Sequence, residues 1–291
     1  AEMLEQRGHE IMKSKAGLIC VSFLAFIVLY PALFILIGSL MGEEELAGNL
    51  AGILDKSVDD YVSWSLIPKE YSVESYRQLM LFEPGIFVLC WNTVKICAGV
   101  IIGQLLIAVP AAWGFAMYDF PLKKILFMLY IIFMMLPFQV LMLPEYMVLS
   151  NLRLIDTLWA VILPGVFSTF PVFIIYNFFK GIPEEEIEAA RLDGAGEFRI
   201  FLSIGIPAGR SGIAAAMILQ FLEYWNIVEQ PMIFIDSEEK LPLSLYLPNI
   251  SMENAGIAFA AAFLSLIPSV LIFRLGQESL EAGITATTIK R

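Results

Sequence analysis

The residues of this chain that could do chemistry are few and stand among apolar neighbours. In "ILQFLEYWNIVEQP", residues 218–231, the polar side chains Gln220, Glu223, Asn226, Glu229 and Gln230 interrupt a greasy run. On a helix turning about 100° per residue, Gln220, Glu223, Asn226 and Gln230 fall within ~120° of one face, and Glu229 lies farther round. Carboxylates and amides so placed can line a polar path, hydrogen-bond a solute, relay protons or cross-link two helices. An ionised group at mid-bilayer costs ~2.5–3.5 kcal/mol on insertion scales, which water or a partner must relieve, so these residues are functional candidates. Covalent and metal chemistry find no support. His9 is the only histidine, and Cys20, Cys90 and Cys97 lie in apolar runs without ligand spacing, as small hydrophobes do. Neither a Gly-x-x-x-x-Gly-Lys phosphate loop nor a Gly-x-Ser-x-Gly elbow occurs. No catalytic residue, metal or resident cofactor is expected, and any energy used must arrive from another subunit or an ion gradient.

A second polar constellation is "KGIPEEEIEAARLDGAGEFRIFLSIGIP", residues 180–207. Pro183 suits the first position of a helix, and Glu184, Glu185 and Glu186 suit the positive end of its dipole. Gly194 fits a C-terminal cap. Ala189 and Ala190 beside Ile187 leave a surface of little bulk. A second short helix over about Glu197 to Ile204 sets Phe198, Phe201 and Leu202 at i, i+3, i+4, with Pro207 predicted to stop it. Two readings stay open on pattern alone: a docking element for another chain, or an ordinary solvated hairpin with an acidic surface.

The elements that must position these residues are membrane helices. Hydrophobic residues make up 58% of the chain, charged ones only 16%, and the mean hydropathy is +0.76, far from a soluble average. With a hydrocarbon core ~30 Å thick needing about 20 apolar residues per helix, six candidate spans lie near 17–41, 87–114, 124–148, 158–179, 211–235 and 255–277. Runs such as "ILFMLYIIFMMLPFQVLML" are apolar on every face, so the alternating pattern of an outer barrel is excluded. The fold class is therefore all-α, and the first span reads as a retained signal anchor, too long for a cleaved signal core.

Orientation follows from Lys and Arg. Twelve fall on the side holding both termini, the 115–123 turn with Lys124 at its edge, and the 180–210 loop, counting Arg274 near the end of the last span; five fall on the other side. The positive-inside rule predicts both termini cytoplasmic. The organisation expected is a cytoplasmic tail 1–16, a transmembrane domain 17–280 and a cytoplasmic tail 281–291. An external loop, 42–86, carries nine acids against three bases, and within it "SVESYRQLM" predicts a short helix capped by Ser72 with Val73, Tyr76 and Met80 on one side. With a net charge of −11, no nucleic-acid partner is expected. Lys95 reads as snorkelling to the outer interface or, alternatively, as a solute contact. Prolines recur in or beside the spans, at Pro31, Pro110, Pro137, Pro144, Pro164, Pro171, Pro231 and Pro268, where each interior one can kink its helix.

The loop also carries a resemblance. Glu188-Ala189-Ala190, then Gly194, Ile204 and Ile206-Pro207 resemble the signature of the permease subunits of binding-protein-dependent ABC importers, with Ile206 where the family has Leu. Across nearly its full length the chain is similar to the carbohydrate-type permeases, the smaller permease of the maltose transporter family. The matching pieces are "IPKEYSVESYRQL", "WNTVKI", "LRLIDTLWAVILP", "FFKGIPEEEIEAARLDGA", "FLEYWN", "LPLSL" and the terminal "EAGITATTIKR". The resemblance implies six helices with a cytoplasmic coupling helix between helices 4 and 5, its contact residues being Glu188, Ala189, Ala190, Asp193, Gly194, Ile204 and Pro207. It implies two copies of an ATP-binding subunit holding ATP and Mg, a second homologous permease, an external solute-binding protein and a sugar or oligosaccharide cargo. The setting implied is the bacterial cytoplasmic membrane. The family carries apolar or aromatic residues at the positions of Glu229 and Gln230, so an ABC component for a non-sugar solute stands beside this reading. The other alternative is an ion-coupled transporter or channel using Glu223 and Glu229; no inverted repeat supports it.

Overall fold

A computed structural model describes residues 15–54, 67–246 and 254–288. The N-terminal tail ahead of residue 15, residues 55–66 of the expected external loop and the last three residues lie outside the described residues. Helices account for nearly all regular structure, and no strand occurs among the described residues beyond one isolated bridge, Met41 to Tyr71. Among the described residues five helices are long and apolar enough to cross a membrane, and a sixth span results if one bent pair is counted as one.

The chain divides into two compact units, residues 1–87 with 246–268, and residues 88–245 with 269–291. In the first, α1 (Lys15–Ser39) is apolar all round, with Phe26, Tyr30 and Phe34 in ring contact at i, i+4 spacing, the first pair tilted and the second stacked. The helices α2 (Glu43–Leu54) and α3 (Glu74–Leu81) follow. Met41, Leu46 and Ala255 form a small core with Ile37, Leu50 and Phe259 against it. The N-cap of α3 is Val73 and not Ser72 as expected; the Ser72 hydroxyl, one residue earlier, accepts the Glu74 N–H at 3.1 Å. The buried face of α3 is Ser75 and Leu79, however, and Val73 and Met80 are exposed, so the side that packs lies about a third of a turn from the expected one. Burial follows Ser75 because it lies against Gly256, where a Cβ would come within 2.3 Å of its hydroxyl.

The second unit holds most of α4 (Gly85–Met117), then α5 (Lys123–Met135), α6 (Phe138–Asn151), α7 (Trp159–Val166), α8 (Thr169–Phe179), α9 (Glu184–Leu192), α10 (Glu197–Ile200), α11 (Ile206–Trp225), α12 (Glu229–Phe234) and the later part of α13 (Ala255–Thr288). Helix α13 runs on through most of the expected 281–291 tail.

Three of the expected spans are interrupted, each by a proline. The span expected at 124–148 is two helices, α5 and α6, bent by 107°. Pro137 has no N–H to give the Phe133 carbonyl, Leu136 donates to that carbonyl instead at 3.2 Å, and Leu136 takes the extended conformation that a residue before proline prefers. Between α7 and α8, Phe167 and Ser168 leave the helix and Pro171 falls in the first turn of α8, where its missing N–H costs no hydrogen bond. The span expected at 211–235 is corrected likewise: α11 ends at Trp225 and α12 begins at Glu229. In a continuous helix Pro231 would orphan the Ile227 carbonyl; here the Ser244 hydroxyl donates to that carbonyl. Pro207, predicted to stop the second short helix, does not. The chain passes through a π-helical turn, Phe201–Gly205, straight into α11, and the wider turn accommodates the proline ring that would clash in a regular helix.

Candidate functional site

The three proline breaks meet around one cavity of about 570 Å³. Leu136 and Phe138 line it from the first break, Phe167, Ser168 and Thr169 from the second, and Gln230 from the third. Glu145 of α6 and Glu223 and Tyr224 of α11 add polar groups. Interrupted helices at membrane depth are tolerated where their backbone is covered by protein or faces a water-filled cavity, so this arrangement is what a solute-sized opening within a bundle requires.

Behind Glu223 runs a buried relay of amides. Gln104 of α4 donates from one Nε2 to the Gly165 carbonyl at 2.8 Å and to Gln220 Oε1 at 2.7 Å; Gln220 in turn donates to Glu223 Oε2 at 2.8 Å. Gln104 and Gln220 are fully buried, and the relay orients the Glu223 carboxylate from the dry side of the helix while its other oxygen stays open. Gly165 is required at its place: a Cβ there would lie 2.6 Å from the Tyr224 hydroxyl and 2.8 Å from Val100.

The four polar residues expected on one helix face are thus divided by the structure. Glu223 and Gln230 line the cavity, though from two different helices. Gln220 supports Glu223 from behind without reaching the cavity, and Asn226, in the break, donates to the Leu222 carbonyl at 2.9 Å and lies outside the cavity lining. Glu229 accepts from Gln139 at 2.9 Å and lies outside the cavity lining that holds Glu223. Sequence reading passed over Glu145 and Gln104. Glu145 is the only acid in 124–148, and the rule applied to Glu223 would have found it; nothing in the sequence marks Gln104 as the partner of Gln220.

Three of the motif stretches meet beside the α12 exit. Asn92 donates to the Glu239 and Leu241 carbonyls at 2.8 and 3.1 Å, and Thr93 Oγ1 accepts the Leu243 N–H at 2.8 Å. Asp156, at φ +58°, accepts from the Ser237 hydroxyl at 2.7 Å and from Lys240 at 2.6 Å. These donors, Lys240 first, hold the Asp156 carboxyl well below the usual carboxylate range.

The 180–207 constellation forms a closed hairpin. Gly194 stands at φ +79°, and the Ala195 N–H reaches the Ala190 carbonyl and the Gly194 N–H the Arg191 carbonyl, both at 3.0 Å, which is a Schellman C-cap. Pro183 sits one residue ahead of its expected place, at the N-cap of α9. Arg191 pairs with Glu197 at 2.8 Å and Tyr118 donates to Glu197 at 2.9 Å, tying both short helices to the end of α4. Ile187, Ile200 and Phe201 are buried in a core with Trp113 and Phe179, the rings of Trp113 lying 5.2 Å from Phe179 and 5.6 Å from Phe201. On the opposite side Leu192 (89% exposed) and Phe198 (73%) face outward with no cover. Glu188, Ala189, Asp193, Gly194 and Pro207 are exposed and Ala190 and Ile204 half-buried. Between the two helices a groove of about 280 Å³ is lined by Ala190, Asp193, Gly194, Ala195, Arg199, Ile200, Ser203 and Ile204.

Residues 104–285 match the family described as the binding-protein-dependent transport system inner membrane component. The chain is 29% identical over 274 residues to the arabinooligosaccharides transport system permease protein AraQ of Halalkalibacterium halodurans, covering 92% of this chain and 94% of that protein. It is 30% identical over 272 residues to AraQ of Bacillus subtilis (strain 168), covering 92% of each. To the sn-glycerol-3-phosphate transport system permease protein UgpE of Brucella melitensis biotype 1 it is 29% identical over 234 residues, 77% of this chain and 83% of that one. Its fold matches a chain in the crystal structure of a bacterial ABC transporter involved in the import of the acidic polysaccharide alginate, with a TM-score of 0.74, 20% identity and coverage of 90% of this chain and 94% of that one. With its membrane helices, proline-broken cavity and matched residues 104–285, the chain is a transport permease subunit belonging to the family of binding-protein-dependent transport system inner membrane components.

Proposed function

We propose that this chain is one of two permease halves of an ATP-driven importer, carrying a carbohydrate-type solute delivered by an external binding protein. The names of the relatives support the carbohydrate class. Both termini and the 180–210 loop face the cytoplasm, as the Lys and Arg balance indicates. The organisation read from the sequence, tails 1–16 and 281–291 around a membrane domain 17–280, holds in this reading, and the setting is the bacterial cytoplasmic membrane. Two ATP-binding subunits hold ATP and Mg and do the hydrolysis; this chain holds neither.

The observation that carries the coupling role is the two-sidedness of the hairpin. One side is welded to the bundle through Ile187, Ile200 and Phe201 against Trp113 and Phe179, and the other leaves Leu192 and Phe198 bare. A nucleotide-driven movement of an ATPase gripping the bare side is transmitted only if the element does not bend, because a ligand shifts an equilibrium by its differential contact with two states. Glu188, Asp193 and Arg199 supply charge at that contact, Ala189, Ala190 and Gly194 permit close approach, and Ile204 and Pro207 begin the rigid continuation into α11. Glu223 and Gln230 line the path, with Gln220 and Asn226 as support.

The test is purification from native membranes. An ATP-binding subunit and a second permease should co-purify, and vesicles holding the complex should take up solute only with ATP and binding protein. Gradient-driven flux by the lone chain would favour the ion-coupled alternative and refute the proposal.

A further inference from the structure

The cavity has a chemical bias that the permease reading leaves open. Its polar lining sets two carboxylates, Glu145 and Glu223, among the hydroxyls of Ser168, Thr169 and Tyr224 and the amide of Gln230. Glu145 Oε2 and Gln230 Oε1 are shut from solvent and have no partner among the described residues. Glu223 has one oxygen committed to Gln220, and the other has no hydrogen-bond partner among the described residues. Buried acceptors left unpaired cost free energy, which an incoming donor recovers once Glu145 or Gln230 turns its oxygen into the cavity. Phe133, Phe138, Phe167 and Phe170 supply ring faces on which the C–H face of a sugar ring can pack, and the volume of about 570 Å³ lies within the range of small-molecule sites. No Lys, Arg or His is among the described residues that line the cavity. A solute bearing a carboxylate or phosphate would bring negative charge to two carboxylates with no cation beside them to balance it.

We propose that this cavity is a selectivity site for uncharged, hydroxyl-rich solutes, in which Glu145 and Glu223 turn away anionic sugars and phosphorylated polyols. The proposal rests on the reading of the chain as a solute permease and adds the charge class of its cargo. It sets this chain apart from what the names of two of its matches state, sn-glycerol-3-phosphate for one and the acidic polysaccharide alginate for the other.

Ser168 lines the cavity and makes no side-chain cap bond, so Ser168→Cys places a reporter thiol there at little structural cost. The experiment uses the co-purified transporter with Cys20, Cys90 and Cys97 replaced by alanine, and measures labelling by cationic, neutral and anionic methanethiosulfonate reagents. The cationic reagent should outpace the anionic one about tenfold or more beyond their ratio on a free thiol, as expected of a cleft lined by one sign of charge. Combining Glu145→Gln with Glu223→Gln should shrink that ratio at least about threefold by removing the source of the field. Arabinotriose should protect the thiol and trigalacturonate should not. Thr169→Cys, on the same lining, serves if Ser168→Cys fails to assemble. Charge-indifferent labelling, or protection by trigalacturonate equal to that by arabinotriose, overturns the proposal even where ATP-dependent uptake is intact. Charge-selective labelling in a complex that shows no ATP-dependent uptake overturns the permease reading instead.

Discussion

Replacing Gly194 by valine should separate ATP hydrolysis from transport. Gly194 stands at φ +79°, and a Cβ built on it would meet nothing within 4 Å. The cost of a side chain is therefore conformational and not a clash. An L-residue pays ~1–2 kcal/mol in the left-handed region, and a β-branched one is the least suited to it. That cost shifts the turn's equilibrium roughly 5–30-fold away from the Schellman geometry, loosening the bonds from Ala195 to Ala190 and from Gly194 to Arg191 that hold the angle between α9 and α10. The buried core of Ile187, Ile200 and Phe201 is untouched, so the subunit should still fold and assemble. In reconstituted vesicles at equal complex content, Gly194→Val should retain ATPase activity while losing most solute uptake, and Gly194→Asn should recover uptake because asparagine tolerates this conformation. Wild-type uptake in Gly194→Val, or an asparagine variant as impaired as the valine one, would refute the lever argument.

Glu223→Gln keeps size and hydrogen bonding, so the complex should assemble normally with altered solute preference or turnover, whereas Leu222→Met, a volume-conserving swap, should be nearly silent; loss of complex in proportion to loss of uptake sinks the path assignment. Gly165→Ala forces a Cβ to within 2.6 Å of the Tyr224 hydroxyl, overpacking expected to cost about 1–3 kcal/mol, read as a lowered melting temperature of the purified complex. The depressed Asp156 pKa gives stability that is complete above the ordinary aspartate value of ~3.9 and lost only as pH falls through the lower folded value. Melting temperature should thus be indifferent to this group between about pH 5 and 8, and Asp156→Asn should lower it throughout that range; a midpoint in the wild-type profile that vanishes in the variant would contradict the assignment.

What was legible in the sequence is what depends on near neighbours along the chain. Hydropathy located the spans because each needs its own apolar length, and the Gly194 cap was readable because a helix terminus is set by a few adjacent residues. The prolines were visible too, but not whether each would kink a helix or sever it. That depended on whether another residue could take the freed carbonyl, as Ser244 does for Ile227 from seventeen residues away. Helical periodicity therefore misled at Gln230: it assumed one continuous helix where Pro231 starts a new one, and Gln230 returns to the company of Glu223 only because the broken ends converge. The meeting of Glu145 with Glu223, and of Gln104 with Gln220 across 116 positions, belongs to tertiary structure alone. A one-dimensional pattern marks a buried polar group as costly, but only packing decides which distant group relieves it.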